Sequence, residues 1–298
     1  NAVGLLSCYD RHADRTGCTH SSWLRPIVNF RSDYTHPYIR GPHQFSGDMY
    51  ITDWLRALNC DFDVITDHDL HQGGADVLAP YDVLLTGSHP EYVSAEILDA
   101  IDVHIHRGGN VIHLGGNAFH CVSTIYPDAP HVLELRRGHA GGIHWKSAFG
   151  EDHHAATGEP GGLWMLRNRA AQRTFGVGTA SVTFGKGEPY TRTPESHDER
   201  YAWIFEGIDG DTIDARCDLL DGPAGFEYDR MDHALGSPPE TVLLASARFA
   251  EPATEYTMND ARWTGCDAHN QADMILIEGP GRGSMFAVGS VAWTSGLF

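Results

Sequence analysis

The stretch Tyr81–Asn117, YDVLLTGSHPEYVSAEILDAIDVHIHRGGNVIHLGGN, holds a strand, a helix and a second strand in succession. Asp82–Thr86 is a short apolar run that reads as a strand. Ser94 opens a segment with Ile97, Leu98, Ile101 and Ile105 on one helical face, and Gly108-Gly109 stops it. Asn110–Leu114 is the next strand, ending in Gly115-Gly116-Asn117. Upstream, Ala2–Cys8 reads as a buried strand, Gly47–Leu58 as a helix with Asp48 near its N-terminus, and Phe62–Thr66 as a strand. Strands alternating with helices predict an α/β fold, a mainly parallel sheet with helices on both faces. Such sheets bind ligands at the carboxyl ends of their strands. Three loops fall there: Tyr9 onward, Gly87–Tyr92 and Gly115–His120.

Beyond residue 120 helical periodicity fades and glycine becomes frequent. The runs HVLEL, LWMLRN, RTFGVG and YAWIFEGI predict a β-rich insertion over 121–235. Strand-like runs at Thr241–Phe249, Met274–Glu278 and Met285–Val291 are expected to return and complete the core sheet begun by 1–120, so 236–298 belongs with it.

The 298 residues carry 40 acids against 21 bases, a formal charge of −19. A surface this acidic repels phosphate, so neither nucleic acid nor an anionic membrane is an expected partner. Only Lys146 and Lys186 are lysines, a balance that suits a salt-tolerant organism. No apolar run approaches the roughly 18–20 residues a membrane helix needs. Six cysteines lie far apart without a CxxC pair, which fits scattered thiols in a reducing cytoplasm.

Several residues on the predicted rim carry chemistry. His89 and Glu91 put an imidazole and a carboxylate two positions apart in a strand-to-helix turn. Their plainer reading is as caps that anchor the turn. Ser88 lacks the G-x-S-x-G setting of a nucleophile elbow. Tyr9 is either a tethered core ring or a phenolate donor for a hard ferric ion. Asn117 aims an amide at the rim or simply tolerates a left-handed turn. Glu227, between Phe226 and Tyr228, is either a carboxylate tuned as a general base or a partner for Arg230. His68 and His71 lie three apart in an expected loop, and no zinc spacing is strong. Gly281-Arg-Gly283 lacks the lysine of a phosphate loop.

Together, these blocks resemble the large subunit of the N,N-dimethylformamidases, in its catalytic C-terminal domain. The resemblance runs through Tyr9-Asp-Arg-His12, Ser21–Pro26, His43-Gln-Phe45, Val64–His71, Thr86–Tyr92, Leu114–Asn117, Thr157–Trp164, Glu227–Arg230 and Gly289–Trp293. It implies a class I glutamine-amidotransferase-like (flavodoxin-like) fold and a mononuclear Fe(III) held by two tyrosines and a glutamate. Tyr9 and Glu91 match one tyrosine and the glutamate. The other tyrosine belongs upstream of Ala2–Cys8, so the chain is expected to be a fragment, to borrow that ligand from another polypeptide, or to hold an altered site. His89, Asn117 and Glu227 match the residues around the metal. The implied activity is hydrolysis of small formamides to formate and an amine, with Phe119, Trp145 and Trp164 as pocket candidates. The implied partners are a small helical subunit and further copies of the assembly. The rivals are a metal-free hydrolase using Cys121 or Ser88, and a non-catalytic subunit or sugar-binding module.

Overall fold

The computed structural model of the chain describes residues 6–138, 145–249 and 270–297. The expected first strand, Ala2–Cys8, falls largely outside them, as does Cys266. The first described elements are β1 (His20–Ser22) and α1 (Phe45–Ala57), where Asp48 in the first turn and Arg56 in the last complement the helix dipole. Next come α2 (Asp67–Gly73) and α3 (Ala75–Leu78). Thr66 and Asp69 form a reciprocal capping box, so Asp67–His71 is the first turn of a helix and not the expected loop. Phe62–Thr66, expected as a strand, joins no ladder.

The stretch Tyr81–Asn117 folds as β2 (Val83–Thr86), β3 (Tyr92–Val93), α4 (Ala95–His106) and β4 (Asn110–His113). Ser94 caps α4 by accepting the Ile97 N–H, and Ile97, Leu98, Ile101 and Ile105 are buried. β2 and β4 pair in parallel from Val83↔Asn110 to Thr86↔His113.

Then follow β5 (Cys121–Tyr126), β6 (Ala129–Leu135), α5 (Ala171–Phe175), β7 (Val177–Val182), β8 (Tyr190–Arg192), β9 (Thr212–Ile213) and β10 (Glu227–Met231). The last strands are β11 (Thr241–Arg248), β12 (Gln271–Ile277) and β13 (Met285–Ala287). LWMLRN and much of YAWIFEGI form 3₁₀ turns at Trp164–Arg167 and Glu199–Phe205, against the strand expectation.

Among the described residues these strands make a seven-stranded sheet, β2-β4-β13-β12-β11-β8-β9, with a four-stranded sheet β1-β6-β5-β3 and the pair β10-β7. Only β2–β4 and β4–β13 are parallel in the large sheet; its other pairings are antiparallel. The fold is therefore mixed and strand-dominated, and the expected mainly parallel, glutamine-amidotransferase-like sheet is incorrect. The β2-α4-β4 unit is one parallel crossover. Apolar runs of four to eight residues carry no sign of pairing direction, so β11–β13 could not be distinguished in sequence from further parallel strands.

Two apolar clusters flank the large sheet. One packs α4 and α5 against its β4 end, where Phe119 stacks on Phe175 with ring centroids 3.9 Å apart. The other gathers Tyr190, Tyr228, Leu244 and Met274. Gly283 sits where a Cβ would run into the Gly109 carbonyl, so the Gly281-Arg-Gly283 turn serves sheet packing. No described helix is long and apolar enough to cross a membrane.

Phe175→Ala should cost about 3–5 kcal/mol, read from denaturant midpoints, because it leaves a cavity and strips Phe119 of its stacking partner. His154 gives a pH test. It is 1% exposed, and neither ring nitrogen has a hydrogen-bond partner among the described residues. Burial lowers its pKa from 6.5 to about 4. Because the folded value lies below the unfolded one, this contribution is complete above about pH 6.5 and is lost as pH falls through about 4. His154→Leu should flatten the acid limb of the stability profile, and an unchanged limb would refute the assignment.

Candidate active site

The site forms where three loops are tied together by backbone bonds. Ser88 donates both its N–H and its Oγ–H to Asp48 Oδ1, at 2.8 Å each, which fixes the turn after β2 onto α1. The loop after β4 then zips onto that turn. Gly116 N–H donates to Ser88 O, Phe119 N–H to Pro90 O, and Cys121 N–H to Glu91 O. β10 closes the third side. Asp229, fully buried, accepts from the Asn117 N–H at 2.7 Å and the Ala118 N–H at 3.3 Å. A Cβ on Gly116 would overlap the Glu227 carbonyl oxygen, so only glycine lets this loop approach β10.

The result brings His89, Glu91, Asn117 and Glu227 together. His89 Nε2 lies 2.6 Å from Glu227 Oε2 and 3.8 Å from Glu91 Oε2. Asn117 Nδ2 lies 3.1 Å from the same nitrogen, and its Oδ1 accepts from Thr179 Oγ1 at 2.8 Å. Asn117 has φ 50°, the left-handed turn expected of it. Tyr9 joins the group from the first loop. It is 43% exposed as a residue, yet its hydroxyl lies inward, 2.9 Å from the Tyr92 hydroxyl. The alternative partner of Glu227 does not hold, since Arg230 pairs with Asp232 at 3.4 Å.

Charge explains the arrangement. His89 is raised to about 9 despite burial, because Glu227, Glu91 and Asp229 favour its charged form. Burial alone would raise Glu227, but the imidazolium overrides it and lowers the pKa, so this carboxylate is ionised. Its Oε2 takes the His89 contact at 2.6 Å. Behind His89, Nδ1 meets His43 Nε2 at 3.2 Å. His43 is pushed down to about 2 by burial first and then by His89, so it is neutral and accepts.

On the other flank, burial and mutual repulsion raise Glu91, Tyr9, Tyr92 and Cys121 together. Arg137 lies among them, its guanidinium 4.9 Å from the centre of the Tyr9 ring. These groups would each ionise more readily beside added positive charge, so the cluster suits a hard cation. Among the described residues no three of His, Cys, Asp and Glu gather as a metal-holding group, so a metal here would draw on the phenols.

The rival nucleophiles are both committed elsewhere. Ser88 is bound to Asp48, and Cys121 is a protonated thiol that donates to Glu91 Oε1 at 3.6 Å. His71 contacts Ser94 and Glu96, while His68 packs on Trp23. The pocket candidates also move. Phe119 and Trp164 are core, and Trp145 lies under Arg137 with its indole N–H on Cys8 O. The aromatic that faces the site is Phe226, with its ring 5.2 Å from His43 and 6.4 Å from His89. Sequence reasoning missed Phe226, His43, Tyr92 and Arg137. The first three adjoin residues already singled out, whereas Arg137 carries no local signal. A cavity of about 220 Å³ opens on the His89-Pro90-Glu91 turn and is also lined by Gln44, Asp67, His68 and Ser94.

The chain has known relatives. All of residues 1–298 match the family described as "N,N-dimethylformamidase beta subunit-like, C-terminal". The chain is 35% identical over 301 residues to the N,N-dimethylformamidase beta subunit of Paracoccus aminophilus, and 36% identical to that of an Alcaligenes species. Each match covers 98% of this chain and 39% of the relative, so the chain spans about two fifths of the length of these proteins. The chain belongs to the N,N-dimethylformamidase beta-subunit family, in the C-terminal part that the family description names.

Proposed function

We propose that this chain carries the hydrolytic site of an amidohydrolase that cleaves small formamides, N,N-dimethylformamide among them, to formate and dimethylamine. The observation that carries the reading is the buried His89–Glu227 pair set beside Glu91 and Asn117, in a chain 35% identical to a protein named for that activity. A mononuclear Fe(III) fits the donor set, with Tyr9 and Glu91 as the ligands from this chain. When bound, such an ion polarises the amide carbonyl and makes water more acidic.

The chain's own residues do the rest. Glu227, held ionised by His89, takes a proton from the attacking water as its oxygen bonds to the formyl carbon. The same carboxyl then returns that proton to the nitrogen as the C–N bond breaks, releasing the neutral amine. His89 holds Glu227 in place and ionised, and Asn117 donates towards the oxygen that gains charge. The 220 Å³ cavity has room for a small amide and reaches the site at His89 and Glu91, with Glu227 and Asn117 outside its lining, and Phe226 keeps the imidazole side of the site apolar.

The relatives are named as beta subunits, which supports an assembly in which this chain works beside a small helical subunit and further copies of itself. The cysteines at 8, 18, 60, 121 and 217 are unpaired, which supports a cytoplasmic setting.

The reading is tested on the whole protein by metal analysis and formamide turnover. Near-stoichiometric iron is expected, and Glu91→Ala should lose both iron and activity. Glu227→Gln should keep iron while kcat falls by about 10²-fold or more, the usual weight of a general base. A Glu91→Ala protein that keeps both metal and turnover would remove the proposal.

A further inference from the structure

Tyr92 is the residue after Glu91, and its hydroxyl is placed with unusual care. β3 fixes its backbone by pairing Tyr92 with Cys121 of β5. Arg137 Nη1 and Nη2 each donate to the Tyr92 oxygen at 3.3 Å. On its open side that oxygen lies 2.9 Å from the Tyr9 hydroxyl. Tyr9 meets the Tyr92 ring edge-on at 87°.

Arg137 makes the arrangement costly as a purely structural one. It is 2% exposed and, among the described residues, forms no ion pair with a carboxylate. Its partners are the Tyr92 oxygen, the Cys8 carbonyl and the faces of Tyr9, Tyr92 and Trp145, while Nε has none. A buried guanidinium without an anion is unfavourable. Its charge is balanced once anionic oxygen stands nearby, and beyond the Tyr92 hydroxyl the nearest phenol is Tyr9, whose ring centre lies 4.9 Å from the guanidinium.

We infer that Tyr92, anchored by Arg137, is a positioning residue whose hydroxyl donates to the Tyr9 oxygen and orients it as a donor to the metal. The inference rests on the iron reading above. Two N–H groups from Arg137 occupy the acceptor side of the Tyr92 oxygen, so its own O–H is left to donate outward. The oxygen it faces, 2.9 Å away, is that of Tyr9, which accepts from Tyr92 once Tyr9 has lost its own proton. A phenylalanine at 92 would fill the same space, so packing alone gives no reason for the hydroxyl.

The test uses the whole protein as isolated, with Tyr92→Phe and Arg137→Lys beside wild type. Iron per chain is followed during titration with a chelator, together with the visible absorption of a ferric-bound phenolate. In wild type, iron and the phenolate band should both be present. In Tyr92→Phe iron should be held about 10- to 100-fold more weakly, the usual effect of removing a partner that orients a ligand. The band should also move to longer wavelength, since a phenolate relieved of a donated hydrogen bond gives up an electron more easily. Arg137→Lys keeps the charge and loses the fork, so it should show a smaller shift of the same sign. Melting temperatures close to wild type would separate these effects from misfolding. Wild-type affinity and an unmoved band in Tyr92→Phe would overturn this inference while leaving the iron reading in place. Wild-type protein with neither iron nor band would overturn the iron reading, and this inference with it.

Discussion

One buried contact, the 2.6 Å pairing of His89 with Glu227, ties the architecture together. His89 comes from the turn after β2, in the large mixed sheet, and Glu227 opens β10 in a separate two-stranded sheet. Neither group is stable as a lone buried charge, so the two sheets must stay in register for either to keep its ionised form. Other features of the rim serve that requirement. Asp229, two residues along β10, holds the Asn117 loop by its backbone, and Gly116 gives the close approach that a side chain would forbid. His43 supports the far side of the imidazole as a neutral acceptor, which avoids a second positive charge beside it.

The local elements of this fold were legible where a motif had its own cap or stop. Ser94, the apolar face through Ile105 and the Gly108-Gly109 stop defined α4 to within a residue. The β2-α4-β4 crossover followed from them, and with it the rim on which His89, Glu91 and Asn117 lie. The global fold was not legible, because strand pairing is a long-range choice. β13 joins β4 in parallel, yet its neighbours β12 and β11 run antiparallel, and the three share one apolar character in sequence. The capping box at Thr66 and Asp69 was there to be read, and missing it turned a helix into a loop. Arg137 shows the opposite limit, since a buried cation matters only through the rings that fold around it.

The site has two electrostatic halves. In one, an imidazolium outweighs burial and holds Glu227 ionised; in the other, Glu91, Tyr9, Tyr92 and Cys121 all resist ionisation. His89 lies between them, 2.6 Å from one carboxylate and 3.8 Å from the other. A base must be charged before the reaction begins, whereas a metal ligand can wait for its cation. Under the proposed function, that asymmetry would separate those tasks between two glutamates that share one imidazole.

Holding this arrangement strains the backbone on both sides of it. Phe119 has φ 52° and Phe226 φ 60°, values that a bulky side chain adopts only when its surroundings compel it. Each lies one or two residues from a site position, Asn117 or Glu227. Each is also pinned by its ring, Phe119 on Phe175 and Phe226 against His43 and Phe184. The apolar core therefore does more than stabilise the domain. It forces the turns that aim Asn117 and Glu227 at His89. A substitution in that core should disturb the site even where it touches no polar residue.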